Sequence, residues 1–198
     1  MCLMASSAAK RAARFLSERL KGSPPLKMIS LMEGLFLRYS IESLRSSFSN
    51  QGQICLCGSR ILIERSIYNK FKTEFVKRVS KLKVGDPNDS KTNLGAVVSE
   101  SHMEKVLEYV ELAKEEGGTV LTGGHRVELE GEFAKGYFLA PTVIEGLPHT
   151  CRTNQEEIFG PVVTLIPFDT EEEAITMANS TKYGLASSTW TSDLKRAH

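Results

Sequence analysis

Cysteine is scarce in this 198-residue chain: Cys2, Cys55, Cys57 and Cys151 are its four, and their spacing is irregular. That argues against a disulfide framework of the small secreted kind and for a reducing compartment, the cytoplasm. Long apolar runs are missing as well. The most apolar stretch, "MISLMEGLFL" at 28–37, is broken by Glu33 and falls well short of the ~20 residues that cross a bilayer. Charge of one sign is not in excess: 25 Lys and Arg face 24 Asp and Glu, a formal net charge of +1. The overall balance therefore offers no handle for nucleic acid or a membrane surface. No secretory signal, internal repeat or low-complexity tract is evident, and there is no G-x-S-x-G elbow, H-E-x-x-H pair, P-loop or G-x-G-x-x-G turn. Those gaps leave no rival to whatever site the remaining residues build.

What is present is an ordinary globular composition, 41% hydrophobic and 25% charged, in a chain long enough for one substantial domain. One charge asymmetry lies in the first 27 residues, where Lys10, Arg11, Arg14, Arg19, Lys21 and Lys27 face only Glu18 among several Ser and Ala. The pattern resembles an organellar transit peptide, but a basic amphipathic helix or an atypical chain end is the simpler reading and the preferred one.

Periodicity supplies the elements. A helix over 6–22 closes at Gly22 before the breaker Ser23-Pro24-Pro25, and a second helix begins at 39, carries Ile41, Leu44 and Phe48, and ends in a Gly turn at 52. "RILIER" (60–65) reads as a strand, and Ser66 as the N-cap of a helix with Ile67, Phe71, Phe75, Val79 and Leu82 on one stripe. Ser99 opens the next helix, which buries Met103, Val106, Leu107, Val110 and Ala113 and stops at Gly117-Gly118. "TVLTGG" (119–124) reads as a strand and 137–146 as extended chain. "PVVTLIPF" (161–168), almost wholly apolar, reads as a strand covered on both faces. Thr170 caps a helix, "LASSTW" (185–190) reads as another strand, and "SDLKRAH" starts a last helix. Strands alternating with helices predict an α/β fold, a largely parallel sheet flanked by helices. The final helix, cut at His198, gives the expectation of an incomplete domain.

The most unusual stretch is "NQGQICLCGSR" at 50–60. A metal site is a poor fit, because Cys55 and Cys57 are spaced C-x-C and His102, His125 and His149 are scattered. A small buried side chain is an acceptable reading for Cys57. Cys55 follows a Gly turn and precedes a strand, so it lies on a connection, where catalytic groups are often placed. On spacing alone, nucleophile and inert thiol stay equally open.

"FSNQGQICLCGS" (48–59) resembles the cysteine active-site signature of the aldehyde dehydrogenase superfamily. "VGDP" (84–87), "GYFLAPTV" (136–143), "EEIFGPVV" (156–163) and "ANSTKYGLAS" (178–187) resemble further stretches of that family's catalytic domain, in the same order. The wording around the cysteine and over 141–164 is most similar to the 2-hydroxymuconic and 2-aminomuconic semialdehyde dehydrogenases. The resemblance implies an NAD-dependent oxidoreductase, NADP not being excluded, that turns a small aldehyde into a carboxylate. Cys55 would be the nucleophile, passing through a thiohemiacetal and a thioester, with its own N–H at the oxyanion. Glu157 would bind the nicotinamide ribose and Phe159 would pack beside it. It also implies a homo-oligomer in the full-length family, and neither nucleic acid nor membrane as partner.

The same resemblance divides the chain into an atypical basic segment, 1–38, and a partial catalytic domain, 39–198. It places the family's dinucleotide-binding domain before the cysteine, where this chain has about 50 residues. "SPPLKMISLMEGL" (23–35) loosely resembles the stretch that holds the family's general base, with Met32 at the base position and Glu33 one place late. Little activity is therefore expected of the chain alone. A regulatory or subunit-binding fragment and an esterase-like thiol hydrolase are the alternatives. Arg45, Arg60 and Arg152 read equally well as carboxylate binders and as surface charges.

Overall fold

Helices and strands are interspersed through residues 32–190, the part of the chain that a computed structural model describes. Helix α1 (Met32–Phe48) leads through a 3-10 turn (Ser49–Gly52) and the cysteine loop into strand β1 (Arg60–Glu64). Helix α2 (Arg65–Val79), helix α3 (Glu100–Glu115), strand β2 (Thr119–Thr122) and strand β3 (Thr142–Glu145) follow. Short helix α4 (Arg152–Gln155), strand β4 (Val162–Phe168) and helix α5 (Glu171–Ala178) complete the order.

The four strands form one sheet in the order β1-β4-β3-β2. β4 pairs in parallel with β1 (Arg60 opposite Thr164) and with β3 (Thr142 opposite Val162), while β2 joins β3 antiparallel. The largely parallel sheet is thus a mixed one with a single antiparallel edge. Side chains alternate across a strand, and both faces here are covered. Val163 and Leu165 of β4 and Val143 of β3 pack with Phe48, Phe71, Phe75 and Val79 of α1 and α2. Their neighbours Val162 and Ile144 pack on the other face with Met103, Val106, Val110 and Ala113 of α3. This is why β4 had to be apolar at successive positions rather than alternate ones.

Both helical stripes lie where the spacing put them, except that α2 stops at Val79 and leaves Leu82 beyond its end, and Leu107 is only partly buried. Ser99 and Thr170 cap α3 and α5 by accepting the N–H groups of His102 and Glu173. Ser66 does not cap α2. The strand runs into the helix without a loop, so the N-cap position falls on Glu64, and the Ser66 hydroxyl donates to the Glu64 carboxylate at 2.8 Å instead. Residues 185–190 are not a strand: a strand exists by pairing, and no described strand lies beside them as partner. Trp190 rests instead on Tyr39 of α1, ring centroids 5.5 Å apart. Helix α1 begins earlier than expected, at Met32, so Met32 and Glu33 open a helix. The helices expected over 6–22 and after Ser192 lie outside the described residues.

Candidate functional site

The cysteine loop grows out of the end of α1. Asn50 (φ 48°), Gln51 (φ 56°) and Gly52 (φ 72°) are three consecutive residues in the left-handed region, and they reverse the chain. Such a run is costly outside glycine. At position 52 glycine is also required by space, since a Cβ there would be driven into the carbonyl of Gly160. The Cys57 N–H then donates to the Ile54 carbonyl oxygen at 2.9 Å, closing a turn that lifts Cys55 and Leu56 to an exposed tip. The loop is tied at its exit: the Gly58 N–H donates to the Ser46 carbonyl (3.1 Å) and the Ser47 hydroxyl to the Gly58 carbonyl (2.7 Å). The Cys57 thiol, half-buried, donates to the Ser49 carbonyl at 3.6 Å. Its burial pushes the pKa up, and the neighbouring Cys55 adds to the rise. The side-chain oxygen of Gln53 accepts the Val98 N–H at 3.1 Å, joining the loop to the entrance of α3.

A second loop, 156–160, lies against the first, and one face of α3 arranges it. His102, Lys105, Val106 and Tyr109 are spaced as helical neighbours. The Tyr109 hydroxyl donates to the Glu156 carboxylate (2.6 Å) and the Lys105 ammonium to the Glu157 carbonyl (3.2 Å). Val106 abuts Gly160. His102 Nε2 lies 2.7 Å from the carbonyl oxygen of Phe159 and must carry the proton there, because a carbonyl only accepts. That bond and an edge-on ring contact hold Phe159 at φ 60°, a left-handed conformation foreign to a bulky residue. Ile158, buried in the α3 cluster, anchors the middle of the loop.

The two glutamates at the head of this loop have opposite fates. Glu156 receives Arg152 (2.9 Å) and Tyr109, and those hydrogen bonds hold its pKa down to about 2. Glu157 is exposed, and among the described residues its carboxylate forms no ion pair or hydrogen bond. Cys55, Glu157 and Phe159 therefore belong to two loops pressed together at Gly52 and Gly160. Sequence reasoning passed over His102, Lys105 and Tyr109, although their spacing beside the buried Met103, Val106 and Val110 marks a face.

The three arginines are used locally. Arg45 pairs with Glu42 (3.7 Å) and Arg152 with Glu156, while Arg60 donates to the carbonyls of Met177 (3.1 Å) and Ala178 (3.3 Å) at the end of α5. Among the described residues no three His, Cys, Asp or Glu side chains gather as a metal ligand set. Nor is any helix there long and apolar enough to cross a membrane.

The aldehyde dehydrogenase family model matches residues 39–198. The 2-aminomuconic semialdehyde dehydrogenase of Mus musculus is 49% identical over 158 residues, covering 79% of this chain and 32% of its own length. The Danio rerio protein of the same name is 42% identical over 199 residues, covering 94% of this chain and 40% of its own. Among solved structures, betaine aldehyde dehydrogenase from Staphylococcus aureus in complex with NAD+ superposes with a TM-score of 0.78 at 40% identity, over 82% of this chain and 32% of that one. The chain thus spans between 32% and 40% of the length of these relatives.

Proposed function

The chain belongs to the aldehyde dehydrogenase family, and from that premise we propose that Cys55 is the nucleophile of an aldehyde-oxidising site. The observation that carries this reading is the close approach of Gly52 to Gly160, which presses the cysteine loop onto the loop of Glu157 and Phe159. The Cys55 thiolate attacks the aldehyde carbonyl, forming a thiohemiacetal. The new oxyanion lies beside the Cys55 N–H, which has no other partner among the described residues. NAD, when bound, supplies the hydride acceptor through which this oxidation reaches the thioester. Water then releases the carboxylate and restores Cys55.

The residues present fit one side of such a cofactor. Glu157 keeps its carboxylate uncommitted and exposed, as a group that receives ribose hydroxyls must, while Glu156 is spent on Arg152 and Tyr109. Phe159 offers a half-exposed ring whose backbone His102 fixes. Nothing in Glu157 or Phe159 discriminates NAD from NADP, and NAD is proposed because the Staphylococcus aureus neighbour binds it. A muconic-type semialdehyde is the proposed substrate, after the names of the Mus musculus and Danio rerio relatives.

Residues 39–198 are proposed as part of a catalytic domain and 1–38 as a basic segment, although α1 runs unbroken across that boundary from Met32; the location is proposed as cytoplasmic, with homo-oligomers as in the full-length family. The 198-residue chain assayed by itself is expected to turn over little, because it spans about a third of its Mus musculus relative. Iodoacetamide labelling and an NADH assay test both parts. Faster alkylation of Cys55 than of Cys57 or Cys151 supports the nucleophile, and equal rates refute it. Semialdehyde-dependent NADH formation that Cys55→Ser abolishes overturns the expectation of low activity.

A second reading has its own support: Ile54, Leu56 and Val98 are apolar and exposed around the cysteine loop, with Leu56 61% and Val98 78% accessible. Such a rim suits a surface covered by a related subunit, as in a subunit-binding fragment. Co-purification with an intact relative supports that reading, and a chain that elutes alone beside it counts against it.

A further inference from the structure

We propose that the open edge of β1 is an interface at which two copies of this chain join, β1 against β1 in antiparallel register, so that their sheets run on as one. The order β1-β4-β3-β2 leaves β1 and β2 as edge strands. Unpaired edges invite another strand, and proteins guard them with bulges, prolines, charges or very short strands. β2 is guarded, because its pairing is short and its register slips between Val120 and Thr122. β1 is not. It runs opposite β4 in unbroken register, with Ile61, Leu62 and Ile63 between its two charged ends.

One bond fixes which backbone groups of β1 point outward. The Thr164 N–H donates to the Ser59 carbonyl at 3.0 Å, so Ser59 faces β4. Backbone groups alternate along a strand, so those of Ile61 and Ile63 face β4 as well, and those of Arg60, Leu62 and Glu64 face away. Among the described residues, neither the N–H groups of Leu62 and Glu64 nor the carbonyls of Arg60 and Leu62 have a partner. An antiparallel copy centred on Leu62 satisfies them all. Leu62 exchanges both bonds with Leu62 of the other copy, and each Glu64 N–H donates to the opposite Arg60 carbonyl.

The side chains suit the same register. In it Arg60 stands opposite Glu64, Ile61 opposite Ile63 and Leu62 opposite itself. A two-fold axis through Leu62 therefore sets a positive charge against a negative one at both ends of the seam. Within one chain these charges lack a counter-charge. Arg60 donates to the neutral carbonyls of Met177 and Ala178, Glu64 receives the Ser66 hydroxyl, and neither forms an ion pair among the described residues. Ile63 is sunk in the cluster with α1 and α2, and Ile61 packs against it. Leu62, on the other face, is half-buried and belongs to neither core cluster. A parallel arrangement, or a shift by two residues, loses the matched charges, so a second copy in this one register is the occupant that β1 specifies. The seam uses no residue of the cysteine loop or of 156–160, and it stands independently of the nucleophile reading.

Sedimentation equilibrium of the full chain, kept reduced with dithiothreitol, tests this. A dimer that forms with rising concentration and is populated by ~100 μM is expected. Glu64→Arg sets like charges against each other at both ends and should weaken association about tenfold or more at low salt. Leu62→Lys, with two ammonium groups at the axis, should abolish it. Arg60→Glu added to Glu64→Arg reverses both ends and should restore it; failure to do so, with circular dichroism unchanged, overturns the register. Amide exchange reads the unaltered chain: the Leu62 and Glu64 N–H groups should gain protection as concentration rises, while those of β2 do not. A chain that stays monomeric at ~100 μM, a dimer indifferent to Glu64→Arg and Leu62→Lys, or open-ended polymers overturn the proposal. So does protection of Leu62 at every concentration, which means that residues of the same chain cover the edge.

Discussion

The two loops that meet at Gly52 and Gly160 are built in opposite ways. The 156–160 loop is fastened along its length: Tyr109, Lys105, Val106 and His102 each hold one part of it, and Ile158 is sunk in the core. The cysteine loop is tied at its ends, through Ser46, Ser47, Ser49 and Gln53, and carries Cys55 and Leu56 on an exposed turn. A rigid wall therefore faces an adaptable tip. That division suits the proposed reading, in which a nucleophile at the tip approaches and releases a carbonyl while the surface beside it stays put.

The largest effect should come from the place where the loops touch. Gly52→Ala places a Cβ in the Gly160 carbonyl and strains a φ of 72°, and is expected to cost about 3 kcal/mol or more. Gly117→Ala, with φ 91° but open space around it, bears only the conformational cost, ~1 kcal/mol. Urea unfolding of the two variants measures the difference, and equal costs would mean that the loops do not constrain each other. Next in size is His102→Ala, which leaves the Phe159 carbonyl without its donor, at about 1–2 kcal/mol. Hydrogen exchange should quicken over 157–160 and remain unchanged over 53–57; acceleration in both would erase the distinction between wall and tip.

A smaller effect is tied to pH. The Arg152 and Tyr109 hydrogen bonds lower the pKa of Glu156 from 4.5 to about 2. A depressed carboxylate pKa contributes stability above the unfolded value and loses it as pH falls through the folded one. The contribution should therefore be complete above about pH 4.5 and fade toward pH 2. Melting temperatures of wild type and Glu156→Gln between those limits should converge as pH falls. Curves that stay parallel would show that Glu156 does not fasten the wall.

The same contrast explains what could be read in the sequence. Apolar stripes on α2 and α3 and the unbroken run of β4 were legible, because burial on one face or two imposes a period on the residues themselves. Ser66 as a cap and 185–190 as a strand were not, since a cap depends on where the strand ends and a strand on who pairs with it. At the candidate site, the turn before Cys55 left nucleophile and inert thiol equally open, and the family resemblance alone favoured the nucleophile. The fastening of the wall was hidden by distance along the chain: His102 to Phe159, Lys105 to Glu157 and Tyr109 to Glu156 span 57, 52 and 47 residues. Glu157 was preferred over Glu156 by resemblance alone, and the hydrogen bonds of Arg152 and Tyr109 to Glu156 support that proposal without the sequence having signalled them.

The smallest expected effect is also the most discriminating. Cys55 is exposed and its sulfur makes no hydrogen bond among the described residues, so Cys55→Ser removes no packing and no partner. Its stability should match wild type within ~0.5 kcal/mol, while labelling by iodoacetamide at that position disappears. A residue that serves the fold cannot lose its chemistry without some loss of stability, whereas one placed at a tip for its reactivity can. Should Cys55→Ser destabilise the chain as much as His102→Ala does, the tip would be part of the wall, and the sulfur would be there for packing.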